Sequence, residues 1–164
     1  VGRFLRGFNY DAILESLSYN VPVNVKNFRE IIDIRVALET SFIEKVTPLL
    51  DEGDIEALRE LIDRLEQEVN DGKPDEDLIK THTEFHLKLY ERANNQLLLH
   101  LIRIFSTIQR TLTILHRFST SDTAEFIELH RSIIDALEQR NAALARDRLV
   151  LHFKDVIDWK DEQR

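Results

Sequence analysis

At 164 residues the chain has the size of one domain with a sizeable core, and its formal charge of −8, from 22 Lys and Arg against 30 Asp and Glu, leaves no positive excess to hold a phosphate backbone. With no cysteine, disulfides and thiolate metal sites are excluded, so any metal must be held by nitrogen and oxygen. No signal-peptide h-region and no apolar run of about 20 residues is present, which predicts a cytoplasmic protein without a membrane partner.

Only 4 Gly and 3 Pro interrupt the chain, and Leu, Ile, Glu, Arg and Ala recur at three- and four-residue spacing. That pattern predicts an all-α fold, an antiparallel bundle of about six to seven helices. Val1–Leu5 is β-prone, Tyr10–Leu17 reads as a brief helix, and Tyr19–Asn27, with Pro22, reads as an extended link. Residues 1–26 are thus expected to be a connector, and 27–164 the helical domain. The first long helix shows a face of Phe28, Ile31, Leu38, Phe42, Val46 and Leu49 and is expected to stop near Glu52-Gly53, with Asp54 capping the next. That second helix runs to about Asn70, before the break Asn70-Asp71-Gly72-Lys73-Pro74. A third spans about Pro74 to Ala93, and Asn94-Asn95 offers a left-handed cap and a new start.

The fourth helix, about Asn95 to Phe118, is apolar on two sides: Leu97, Leu101, Ile104, Ile108 and Leu115 on one, Leu98, Phe105 and Leu112 on the other. A helix apolar on two faces touches two layers, which makes it the candidate for a homodimer contact. Asp122 with Glu125 has the pattern of a capping box for a fifth helix ending near Arg140. The sixth starts at about Asn141.

Four of the six histidines fall on apolar stripes. His82 and His86, at i and i+4, share one helix face a turn apart. His130 and His152 lie on the fifth and sixth helices, 10 residues before and about 11 after the turn at Arg140-Asn141. Both are then on the order of 15–17 Å from that turn and face each other at one level. Taken singly, each imidazole reads as a core histidine bonded to a carbonyl or carboxylate. Taken together, one metal ion would satisfy all four, and each buried polar group left unsatisfied costs roughly 1–3 kcal/mol. Spacing alone leaves both readings open. His100 and His116, without matching pairs, read as interface or surface residues.

The residues also resemble a known family. Ile34-Arg35-Val36-Ala37-Leu38-Glu39 is similar to an R-x-x-L-E element, and His82-Thr83-Glu84-Phe85-His86 followed by Asn95 is similar to D-x-x-F-H and then N. Leu129-His130 through Leu137 is similar to H-x-x-I-x-x-A-L, and His152 supplies a fourth element. In this order they resemble the FCD effector-binding domain of FadR-like regulators in the GntR family. The resemblance implies a divalent metal at the base of a central ligand cavity, held by one Asp and three His. His86, His130 and His152 match the histidines, and His82 stands where the family usually has Asp. An all-nitrogen set suits Zn, with Ni or Cu next, better than Mn or Mg.

By the same resemblance, Arg35 and Asn95 are effector-binding residues, the effector being a small organic acid whose carboxylate suits a guanidinium fork. A salt bridge from Arg35 to Glu39, one turn on, is the plainer role for Arg35. The resemblance also makes Val1–Leu5 the end of the wing strand of a missing N-terminal winged helix-turn-helix domain, through which operator DNA would be bound. The expected function is a ligand-sensing, metal-binding regulatory domain of a transcription regulator, not an enzyme. Two alternatives remain: a helical dimerisation domain with a purely structural metal, and a metal-dependent hydrolase. The hydrolase lacks a general base, since Glu84 points away from both histidines of its helix.

Overall fold

The computed structural model describes residues 25–113 and 123–158, with side chains described over 30–108 and 124–154. Among the described residues there are six α-helices and no strand: α1 (Val25–Val46), α2 (Glu52–Asn70), α3 (Asp75–Tyr90), α4 (Gln96–Thr113), α5 (Thr123–Glu138) and α6 (Ala142–Asp158). Short 3-10 turns, Thr47–Leu49 and Glu91–Ala93, follow α1 and α3. The readings placed on Val1–Leu5, Tyr10–Leu17, Leu115, His116 and Asp122 fall outside the described residues, as do the side chains of Phe28 and Leu112.

Several boundaries follow from local chemistry. Helix α1 ends at Val46 and not near Glu52-Gly53, because Pro48 has no N–H to give and its ring opposes the helical turn before it. The cap of α2 is Asp51 rather than Asp54: Asp51 accepts from the Asp54 amide at 2.9 Å while Asp54 accepts from the Asp51 amide at 3.0 Å, a reciprocal box. At the other end of the chain segment expected to be an extended link, helix is already formed at Val25, since Pro22 restricts only the residue before it.

Left-handed residues stop three elements. Gly72 (φ 66°) ends α2, Asn94 (φ 48°) follows α3, and Arg140 (φ 55°) ends α5. In α2 the amide of Gly72 reaches Val69 O and that of Lys73 reaches Glu68 O; in α5 Arg140 reaches Leu137 O and Asn141 reaches Ala136 O. Both patterns satisfy the last helical carbonyls. Arg140 has a Cβ, so this conformation costs about 1–2 kcal/mol. Its guanidinium offsets that by donating to the carbonyls of Thr47 and Leu50 at the end of α1. Asn141 Oδ1 then accepts from Leu144 N at 3.0 Å and starts α6.

Helices α2 and α3 form one close hairpin and α5 and α6 another; α1 packs on α6, α2 on α5, and α3 on α4. The antiparallel sense is legible in the cross-helix pairs. Arg59 meets Asp135 and Glu138 while Arg131 meets Asp63 and Glu66, so numbers rise along α2 as they fall along α5. Likewise Glu44 meets Arg146 where α1 lies against α6. These pairs are partly exposed and each is worth about 0–1 kcal/mol. Burial of Ile43 and Val46 from α1, Leu58, Ile62 and Leu65 from α2, Phe85 and Leu89 from α3, Ile133, Ile134 and Leu137 from α5, and Leu149 and Phe153 from α6 supplies the main driving force.

The buried stripe of α1 differs from the apolar face read from sequence. It consists of Ile32, Arg35, Glu39, Ile43 and Val46, while Ile31, Leu38 and Phe42 are half-buried and Leu49 is 53% exposed. Two charged residues occupy its centre, so a purely apolar count selects the neighbouring row. They are tolerated inside because they pair with each other.

Candidate metal centre

Three helices contribute four histidines to one largely buried cluster. His82 and His86 come from α3, His130 from α5 and His152 from α6, and one ligand atom from each lies within 4.8 Å of every other. His86, His130 and His152 are at most 3% exposed, and His82 is half-buried. The turn-distance argument for His130 and His152 holds: their ring centroids are 4.3 Å apart. His82 lies 4.9 Å from His130 and 5.5 Å from His152. Phe85, Phe126 and Phe153 pack against the rings.

Burial dominates the electrostatics of these rings. Together with repulsion from neighbouring rings and Arg35, it pushes His82 and His152 well below the usual histidine range, and burial with the field of His86 brings His130 to about 3. Burial also lowers His86, although Glu39 opposes it. At neutral pH the cluster is therefore four uncharged imidazoles with lone pairs available to a cation.

Two observations test whether this set fits a metal. His130 Nδ1 lies 2.7 Å from Phe126 O, and a carbonyl only accepts, so the proton is on Nδ1 and the lone pair on Nε2. That Nε2 is buried without a hydrogen-bond partner, as is His152 Nδ1. In addition, His82 Nε2 and His86 Nε2 face each other at 3.1 Å, which puts two basic nitrogens in contact unless a proton or a cation lies between them. Two nitrogens at 2.0–2.1 Å from one tetrahedral Zn would stand about 3.3 Å apart, close to this spacing. The residues fit a divalent ion that prefers nitrogen.

The α1 helix closes one side. Arg35 Nε donates to Glu39 Oε1 at 2.6 Å, His86 Nδ1 lies 2.8 Å from Glu39 Oε2, and the Tyr90 hydroxyl donates to Glu39 O at 2.9 Å. Burial raises the Glu39 carboxyl, but the Arg35 guanidinium and then His86 outweigh it and hold it at about 2. Arg35, fully buried, also stacks with its Cζ 5.0 Å from the Phe153 ring centre. The expected Arg35–Glu39 ion pair is present. Asn95, expected at the effector, uses its Oδ1 to accept from Leu98 N at 3.1 Å and so starts α4. His100 is half-buried on α4. Sequence reasoning missed the contact between Glu39 and His86; its one signal was a charged pair spaced i, i+4 in the row Ile32, Arg35, Glu39, Ile43 and Val46, whose other members are apolar.

The FCD domain matches residues 30–155. Over 131 residues, 80% of the chain, the protein is 24% identical to the HTH-type transcriptional regulator YdhC of Bacillus subtilis, of which it spans 58%. It is also 24% identical, over 162 residues and 96% of its length, to the HTH-type transcriptional regulator LutR of the same organism, of which it spans 73%. Its fold is similar to that of Escherichia coli McbR/YncC (TM-score 0.77, 22% identity, 93% of this chain and 83% of that one) and of Streptococcus agalactiae GntR (TM-score 0.71, 20% identity, 85% and 63%). Both Bacillus subtilis relatives are named as HTH-type transcriptional regulators. The chain belongs to the FCD domain family, the effector-binding regulatory domain of GntR-family transcription regulators.

Proposed function

We propose that this domain senses a small carboxylate through a divalent metal, Zn first and Ni second, held by His82, His86, His130 and His152. The observation that carries this reading is the convergence of four neutral imidazoles, three buried and His82 half-buried, with no carboxylate among them. When bound, the metal would supply a Lewis-acidic point for an oxygen ligand. The charge balance then favours an anion. Arg35 and Glu39 cancel, the imidazoles are neutral, and a divalent ion leaves a buried charge of about +2 that water cannot fully screen. Arg35, beside the cluster on α1, is the candidate effector clamp, with Asn95 at the start of α4 as a second candidate.

Because α1, α3, α5 and α6 all reach the cluster, a ligand with unequal affinity for two arrangements of these helices would shift the balance between them. The chain spans only part of its HTH-type relatives, so DNA contact is assigned to an N-terminal winged helix-turn-helix segment joined through residues 1–26, with the two-faced α4 as homodimer contact. No described helix is long and apolar enough to cross a membrane, which fits the proposed cytoplasmic setting. A second reading, a purely structural metal, is favoured by the near-complete burial of three of the four rings.

Thermal melts with a panel of small organic acids, each with Zn and with chelator, separate the two. A stabilisation by some carboxylate that requires the metal supports sensing. Stabilisation by Zn alone, unchanged by every acid, overturns sensing in favour of the structural role.

A further inference from the structure

Two of the four imidazoles have the position of their ring proton dictated by a neighbour. For His130 the neighbour is a backbone carbonyl, which no substitution of a side chain can change. For His86 it is the carboxylate of Glu39, on a different helix, 2.8 Å from Nδ1. Glu39 has no other evident task at the cluster: it is not among the four converging ligands, it is fully buried, and its second oxygen is taken by Arg35 Nε. Its backbone carbonyl is in turn fixed by the Tyr90 hydroxyl, which ties α1 to the end of the helix that carries His82 and His86.

We propose that Glu39 is the positioning residue of the centre: its carboxylate keeps the proton of His86 on Nδ1, so that the Nε2 lone pair is presented to the metal. The inference deepens the metal-binding reading and rests on it. The physical reason is that an ionised carboxylate can only accept. An acceptor on Nδ1 fixes the tautomer, orients the ring and raises the basicity of the ligating nitrogen. Arg35 has a supporting part, because it sets which way a replacement at residue 39 would turn.

A Glu39→Gln substitution makes this testable. Arg35 Nε–H needs an acceptor, so the glutamine oxygen turns toward Arg35 and its NH2 toward His86 Nδ1. Nδ1 must then accept, the ring proton moves to Nε2, and the lone pair is lost from the metal side. Removing the competing donor in the double variant Arg35→Met with Glu39→Gln frees the amide to turn round and accept from Nδ1–H. The double variant therefore regains what the single one lost, which a merely structural role for Glu39 would not produce.

The experiment records the tautomer of His86 in the metal-free protein by long-range 1H–15N imidazole spectra, and Zn affinity by competition with a chromophoric chelator. Wild type, Glu39→Gln, the double variant and the exposed α1 control Glu44→Gln are compared. Expected are Nδ1–H in wild type, Nε2–H with Zn binding about 10–100-fold weaker in Glu39→Gln, recovery in the double variant and no change in the control. Nε2–H in wild type, or Zn affinity in Glu39→Gln within about threefold of wild type, overturns the proposal. Should Glu39→Gln fail to fold, the wild-type tautomer and the double variant still decide. Wild-type protein that binds no Zn while showing the expected tautomers overturns the metal reading instead, and with it any role for Glu39 in metal binding.

Discussion

Replacing Arg35 with methionine tests how the charged pair inside α1 is held. Arg35 and Glu39 are 1% and 0% exposed with their atoms 2.6 Å apart, so removing the guanidinium strands a carboxylate where water cannot reach it. His86 remains beside Glu39, but as a neutral donor it supplies one hydrogen bond and no counter-charge. Breaking one side of a buried pair costs about 3–5 kcal/mol. At about 2–4 °C per kcal/mol for a domain of this size, the melting temperature should fall by about 6–20 °C. Urea denaturation in the presence of chelator is the appropriate assay, since bound metal would otherwise add its own stabilisation. Replacing both partners, Arg35→Met with Glu39→Leu, should bring stability back to within about 1–2 kcal/mol of wild type, because apolar residues of similar volume need no counter-charge. An Arg35→Met cost below about 1 kcal/mol, or a double variant worse than the single one, would refute the reasoning.

Zn at a hundredfold excess over its dissociation constant should add about 2.7 kcal/mol to unfolding, read as an upward melting shift, whereas the same concentration of Mg should leave the melt unchanged. Asp54, whose carboxyl is raised by burial but held at about 2 by the Asp51 amide, Arg92 and Lys88, ties α2 to the turn after α3. Its folded value lies below its ordinary one, so its contribution is fully present above about pH 4 and is lost as the pH falls through about 2. Because Arg92 is 45% exposed and screened, that contribution is about 1–2 kcal/mol, and Asp54→Asn should flatten the acid limb of a stability profile by this much. Leu58→Ala, at a fully buried position of α2, should cost about 2–5 kcal/mol in urea melts.

Much of the fold was legible because helix punctuation is local chemistry. Asn94, Gly72 and Arg140-Asn141 all end or start helices where the sequence suggested, and hairpin arithmetic placed His130 opposite His152. The i, i+4 spacing did the same for His82 and His86, whose rings lie 4.6 Å apart. What failed was local in another way. The end of α1 was set by Pro48, a single residue inside an otherwise unbroken helical pattern. The buried row of α1 was misplaced because apolar periodicity cannot recognise a face whose centre is a salt bridge. The link from Glu39 to His86 joins residues 47 apart in sequence, and no periodicity within one helix encodes which carboxylate meets which imidazole. Long-range partners of polar groups are decided by packing.

The central claim is that four histidines hold one metal ion. Elemental analysis of the purified protein, repeated on His86→Ala and His152→Ala, tests it most directly. Near-stoichiometric Zn or Ni in wild type, lost in both variants while they remain helical, is the expected result. Metal-free wild type that takes up neither Zn nor Ni when they are supplied would contradict it.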